Sequence, residues 1–247
     1  MRNSIWKDRR VRQALAKLID RKALVKAARL GHGNSGYHPF QNTWAEEGVK
    51  GAKIHQYDPE DAQQLLEEAG WQKGSDGFYA NNDGQRLSFT LLPSWPVIGS
   101  AYQAMIVKGQ LRQHGVDVVL VDKKRADPSV DAILAQPMGL YDPVGQLYHF
   151  FHSNPAGLGA NKSRYHNPEV DRILDQLKTT MDRKEKMNIL PALQNAFYED
   201  PPEIYLFYFT GALGVHKSLQ GMKQKVLAHW GLGFLWDLES WHRGEVE

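Results

Sequence analysis

The sequence predicts an α/β fold in which a mixed sheet is flanked by helices, and three observations carry that prediction. Val11, Ala14, Leu15, Leu18 and Ile19 recur at helical spacing with arginines and lysines on the other face, so the chain opens on an amphipathic helix. Leu87, Phe89 and Leu91 alternate with Ser88 and Thr90 as in a strand, a helix is expected over residues 100–114, and residues 116–121 read as a second strand. Strand, crossover helix and strand in so short a stretch imply a parallel pair with a right-handed connection. Later helices are marked by their caps, Asp58 before Pro59, Asn167 before Pro168, and Asp182. Each is a side-chain acceptor placed just ahead of an apolar period.

Taken in chain order, Asp20 caps a second helix carrying Leu24, Val25 and Ala28. It should end near Leu30 and Gly31, the glycine taking the left-handed conformation that closes a helix. The stretch Gly31-His32-Gly33-Asn34-Ser35-Gly36-Tyr37-His38-Pro39 is too rich in glycine and turn formers for regular structure, and longer than a plain connection needs. The helix opened at Asp58 turns Ala62, Leu65, Leu66 and Ala69 inward and stops at Gly70, and residues 71–84 read as a turn-rich hairpin. Residues 131–134 form a short buried strand that runs into an irregular segment over 136–143, and strand ends in such sheets are where ligands usually sit. The helix after Asn167 buries Val170, Ile173, Leu174 and Leu177. The helix after Asp182 reaches about Tyr198 with Pro191 in its middle, where a missing hydrogen bond and a clash predict a kink or a break near Leu190. Beyond Asp200-Pro201-Pro202, residues 204–209 are expected as a buried strand, and Gly211 and Gly214 break it. The remainder, with Trp230, Trp236 and Trp241, shows no clean period.

Composition narrows the function. With 247 residues, 42% of them hydrophobic, the chain can bury a full core. Thirty basic against 28 acidic residues leave a formal charge of +2, which gives no electrostatic reason to expect nucleic acid or an anionic membrane as partner. Cysteine is absent, which excludes thiolate catalysis and Cys-zinc sites and fits an oxidising compartment. Residues 1–20 form a charged amphipathic pattern in place of a secretory leader, and no apolar stretch is long enough to cross a bilayer. There is no Gly-x-Ser-x-Gly elbow and no His-Glu-x-x-His pair, and the adjacent Glu46-Glu47 and Glu67-Glu68 point in different directions on a helix. Gly31-His32-Gly33 follows a helix and lacks a P-loop ending. No enzyme and no cofactor are implied. His149 and His152 have a spacing that would put two imidazoles on one helical face, but they lie in an aromatic patch with Phe150 and Phe151, and no metal site is assigned.

Several motifs occur together in a recognisable order. Asp8-Arg9-Arg10-Val11-Arg12-Gln13-Ala14-Leu15 and Tyr57-Asp58-Pro59-Glu60-Asp61-Ala62 are followed by Asn167-Pro168-Glu169-Val170-Asp171-Arg172-Ile173-Leu174-Asp175, and then by Asp200-Pro201-Pro202-Glu203-Ile204-Tyr205-Leu206. In order and spacing these resemble the second half of the family 5 extracellular solute-binding proteins, which feed peptide, opine and nickel ABC importers. Each motif alone is also a generic capped helix or strand, and it is their order that is specific. The resemblance implies a type II periplasmic-binding-protein-like lobe, here a C-terminal fragment without its first lobe, closing on ligand against that missing N-terminal lobe. Residues 1–210 would be the C-terminal ligand-binding lobe and residues 211–247 a return segment belonging to the first lobe. The intact protein would be periplasmic or otherwise extracytoplasmic, membrane-associated, and would dock on an ABC permease. A rival implied by the same kind of domain is the ligand-sensing half of a cytoplasmic transcription regulator.

The cleft residues follow from the resemblance and from loop position. Tyr37, His38 and Trp44 in the first long loop region, Trp95 after a strand, and Met138, Tyr141 and Asp142 in the irregular segment are the expected ligand-binding set. Aromatic walls give a carrier large contact area at low entropic cost. Many peptide-binding members have a tryptophan and an aspartate shortly before the Asp-Pro pair, and Pro137-Met138-Gly139-Leu140-Tyr141 has neither. An ammonium group buried there without a carboxylate would lose several kcal/mol of solvation, unless Asp142 or the other lobe supplied the charge. Arg9, Arg10 and Arg12 are expected on the solvated face of the first helix.

Overall fold

The computed structural model describes residues 4–94, 99–124, 127–136, 142–154, 161, 163–210, 214–223 and 237–244. The first helices are α1 (Arg9–Lys17) and α2 (Arg21–Arg29), with the Asp8 and Asp20 side chains accepting from Arg10 N and Ala23 N. Strand β1 (Gly33–Ser35) and helix α3 (Pro59–Glu68) follow, and then a hairpin of β2 (Gln72–Lys73) and β3 (Tyr79–Ala80). Strand β4 (Ser88–Pro93), helix α4 (Ser100–Gln113), strand β5 (Asp117–Leu120) and strand β6 (Ala132–Leu134) build a three-stranded parallel sheet in the order β5-β4-β6. The expected parallel pair is therefore present, and β6 adds to the free edge of β4. Helices α5 (Pro143–Phe151), α6 (Pro168–Thr179) and α7 (Arg183–Glu199) come next. Strand β7 (Phe207–Phe209) pairs antiparallel with β1, and β8 (Leu219–Gln220) pairs with β9 (His242–Arg243).

Two apolar cores result. One gathers Val11 and Leu15 of α1, Leu24 of α2, Leu66 of α3, Leu111 of α4, and Phe89, Leu91 and Val118 from the sheet. The register places Phe89 opposite Val118 and Leu91 opposite Leu120, so these side chains share the face that meets the helices. The second core is helical: Val144, Leu147 and Phe151 of α5 meet Ile173, Leu174 and Leu177 of α6 and Leu190, Leu193 and Phe197 of α7, with Phe40 and Val49 beneath. Pro168, Asp171 and the rest of that motif serve a capped helix, Asn167 Oδ1 accepting from Glu169 N and Val170 N at 3.0 and 3.3 Å.

Several sequence expectations are corrected. Residues 31–39 are not free of regular structure, because β1 pairs Gly33, Asn34 and Ser35 with Phe209, Tyr208 and Phe207. The segment expected as a strand over 204–209 is a strand only at its last three residues, which pair with β1. Leu30 itself takes the left-handed conformation at φ +52, followed by Gly31 at φ +84. Its side chain is 85% exposed, so no packing opposes the turn, and the conformation costs about 1 kcal/mol. Arg12 is not solvated: it is 7% exposed and bonded on the inner side of α1. Helix α7 does not break at Pro191. Trp230 and Trp236 lie outside the described residues, whereas Trp241 is half-buried and donates Nε1–H to Asp237 Oδ1 at 3.0 Å.

The continuity of α7 has a local partner. Proline cannot donate to the carbonyl four residues earlier, which is that of Met187. Gly48, in a short 3-10 turn (Glu47–Val49), packs against this point, and a β-carbon there would stand 3.1 Å from Met187 O, 3.2 Å from Met187 Cα and 3.3 Å from Leu190 Cδ1. Two of those three atoms belong to helix backbone and cannot step aside cheaply. Gly48→Ala is expected to destabilise the fold by about 1–3 kcal/mol through overpacking. Denaturant unfolding checks this, and an unchanged midpoint would show that the turn simply lifts away from α7.

Candidate functional site

Strands β4 and β6 are adjacent and parallel, so the loops that follow them leave the same edge of the sheet side by side. Pro93 faces Leu134 in the register, and one further bond, Ser94 N to Leu134 O at 3.0 Å, continues the pairing to the last described residue of the first loop. Ser94 is buried at 1% exposure. The chain returns at Gly99, φ +78, which caps α4, and the first turn of α4 carries the buried Ser100 and Gln103. On the second loop the chain returns at Asp142, whose Oδ1 accepts from Val144 N at 3.2 Å and so starts α5. Val144 and Leu147 anchor α5 in the helical core, so this loop bridges the two cores.

Of the expected cleft residues, Asp142 is exposed at the start of α5, with its carboxylate shared between the helix cap and solvent. Trp95, Met138 and Tyr141 lie outside the described residues, in the same two loops. Tyr37 is half-buried with the Arg21 guanidinium 5.0 Å above its ring. His38 is half-buried beside Phe40, and burial lowers its pKa from the usual imidazole value. Its carbonyl accepts from the Tyr208 hydroxyl at 2.8 Å, which ties the loop after β1 to β7. Trp44 is half-buried under Arg183 of α7, 4.7 Å from ring to guanidinium carbon. His152 ends α5, stacks on Tyr148 at 4.5 Å, accepts from Asn154 N at 3.0 Å, and faces the Asp175 carboxylate at 3.4 Å. Among the described residues no group of three His, Cys, Asp or Glu side chains is arranged to hold a metal.

Sequence reasoning missed a polar network that joins α1 and α2 to the end of α7 and the approach to β7. Arg21 is 3% exposed and donates Nε–H to Tyr205 O at 2.7 Å and Nη1 to the carbonyls of Ala16, Ile19 and His55 at 2.9, 3.4 and 3.2 Å. No carboxylate takes part in these bonds, and burial pulls its pKa down to about 10, so it stays charged at neutral pH. His55 donates Nε2–H to Tyr198 O at 2.8 Å and stacks on the Tyr198 ring at 4.3 Å. Its pKa is lowered to about 4, burial being the main cause and the hydrogen bond to Tyr198 opposing it. Arg12 donates Nε–H to Pro201 O at 3.1 Å and also bonds Trp6 O and the Asp200 carboxylate. Gln13 reaches the carbonyls of Tyr198 and Glu199. No local sequence pattern marked it: residues 11 to 16 are all buried in the fold, so α1 is covered around more of its circumference than its apolar residues alone indicate.

Comparison with known proteins gives a consistent result. The model of the bacterial extracellular solute-binding proteins, family 5 (middle), matches residues 1–157. The oligopeptide-binding protein AppA of Bacillus subtilis is 28% identical over 232 residues, 90% of this chain and 42% of that protein. Protein XP55 of Streptomyces lividans is 33% identical over 207 residues, 81% of this chain and 37% of its own length. The crystal structure of NikZ from Campylobacter jejuni in complex with Ni(L-His) superposes with a TM-score of 0.81 at 30% identity, covering 98% of this chain and 50% of that one. The chain thus spans half or less of the length of these relatives.

The buried network makes two predictions. The folded His55 pKa lies below the unfolded value of 6.5, so stability is full above pH 6.5 and is lost as pH falls toward about 4. The loss is expected to approach about 3 kcal/mol, read from denaturant unfolding at pH 7 and pH 4 and compared with His55→Gln, whose profile should be flatter by that amount. Identical profiles for the two proteins would overturn it. Arg21→Lys keeps the charge but not the fork, and should cost about 2 kcal/mol or more; a loss under half of that would mean that one ammonium serves as well.

Proposed function

Since the chain belongs to the bacterial extracellular solute-binding proteins of family 5, we propose that it forms one wall of a solute-binding cleft serving an ABC-type importer. The observation that carries this reading is coverage: nearly the whole chain, 98%, matches half of the NikZ chain at a TM-score of 0.81. A wall of this kind works with a second lobe, and ligand stabilises the closed state by touching both at once. In this reading residues 1–210 are the ligand-binding lobe and residues 211–247 a return segment. The protein acts outside the cytoplasm, hands ligand to a membrane permease, and performs no chemistry on it. Among the described residues no helix is long and apolar enough to cross a membrane.

The cleft is proposed along the edge from which the loops after β4 and β6 leave, with Asp142, Trp95, Met138 and Tyr141 on it and Tyr37, His38 and Trp44 near it. Support comes from the parallel register that sets the two loops together and from the general placement of ligands at the carboxyl ends of parallel strands. The ligand is an oligopeptide, an opine or a metal chelate. A chelate fits the lack of a carboxylate in the segment before Asp142, and the NikZ relative was crystallised with nickel and histidine. With one wall only, the chain is expected to bind the nickel–L-histidine complex more weakly than micromolar, and nonapeptides more weakly still. Amide shifts in a millimolar titration should concentrate at Ser94, Gly99, Leu134 and Asp142. Micromolar binding by the chain alone, or shifts that avoid this edge, would overturn the reading.

A further inference from the structure

A cavity of about 20 Å³ lies where α1, the segment around His55, α7 and the approach to β7 meet, and it is lined by Arg21, His55, Gln194 and Tyr205 among others. Three buried polar atoms on these lining residues have no hydrogen-bond partner: His55 Nδ1, Gln194 Oε1 and the Tyr205 hydroxyl. His55 and Gln194 are 8% and 3% exposed. Leaving even one such atom unpaired is costly, and three around one small space would be exceptional for a native fold.

The chemistry of the three atoms is complementary to a single molecule. His55 Nε2 lies 2.8 Å from a carbonyl and must carry the proton, so Nδ1 presents a lone pair. Gln194 Nε2 donates to Lys53 O at 3.2 Å, which fixes the amide orientation and leaves Oε1 as an acceptor. The Tyr205 hydroxyl supplies one donor. Two acceptors and one donor match the two protons and one lone pair of a water molecule, and the volume is sufficient for one water. Burial keeps His55 neutral near pH 7, which preserves that complementarity although Arg21 and Glu203 also line the space.

We propose that this cavity is a binding site for one structural water that donates to His55 Nδ1 and Gln194 Oε1 and accepts from Tyr205 Oη. The site does not depend on the solute-binding reading. It fastens the segment leading into β7 to α7 and to the chain around His55, and so completes the connection that Arg21 makes through Tyr205 O.

The test uses the sign of a conservative substitution. In a hydrated site Tyr205→Phe removes a working hydrogen bond, and the unfolding equilibrium constant should rise about fivefold. In a dry site the same change deletes an unsatisfied hydroxyl and the constant should fall. A crystal structure of the unsubstituted chain decides it directly: water density within hydrogen-bonding distance of all three atoms is the expected result. An empty cavity, or a constant that is unchanged or lower in Tyr205→Phe, overturns the proposal.

Discussion

The end of α7 is the constraint on which the rest of the structure depends. A helix leaves its last carbonyls without partners, and when that end is buried each must find a donor elsewhere. Here the donors are side chains from remote segments. Tyr198 O accepts from His55 and Gln13, Glu199 O from Gln13, Asp200 O from the Tyr165 hydroxyl at 2.9 Å, and Pro201 O from Arg12. Asn167 holds the Asp200 carboxylate at 2.8 Å from the other side. α1 belongs to the sheet core and α6 and α7 to the helical core, so satisfying one helix terminus joins both halves of the molecule.

Arg12 and Arg21, both buried, satisfy backbone carbonyls in different ways. Arg12 meets a carboxylate, so its charge is balanced where it is buried. Arg21 meets carbonyl oxygens only, and its lowered pKa records the desolvation that those dipoles leave uncompensated. A guanidinium can be tolerated in such a place because its planar fork serves several acceptors at once and it does not shed its proton at neutral pH. The stacking of Tyr37 under Arg21 and of Tyr198 against His55 covers the faces of these groups that carry no hydrogen bond.

Among the described residues, none of the donors at the end of α7 belongs to the loops that leave β4 and β6. The edge proposed for ligand is therefore held by other means: the Ser94–Leu134 bond, the Asp142 cap and the anchoring of α5. A scaffold secured elsewhere leaves such loops free to differ between relatives that share a fold and bind different solutes. Tyr37, expected at the cleft, packs under the Arg21 guanidinium. It stands where the network and the approach to β7 meet.

By itself the sequence determined the elements whose cause is local. The Asp and Asn caps, Pro59 and Pro168 at helix starts, and the 3.6-residue and two-residue periods placed α1 to α4, α6, α7 and the β4–α4–β5 unit close to where they stand, because caps and periodicity act within a few residues, whereas α5 was not read from the sequence. The order of its motifs also showed the family. Tertiary structure decided what depends on partners distant in sequence. Pairing with β7 made a strand of the glycine-rich Gly33–Ser35, and Gly48 accompanies α7 past Pro191 without a break. The carbonyls 198–201 drew Arg12 and Gln13 inward from a helix face that reads as solvated. A buried backbone oxygen can recruit any donor within reach, and reach is a property of the folded chain that no local pattern of residues records.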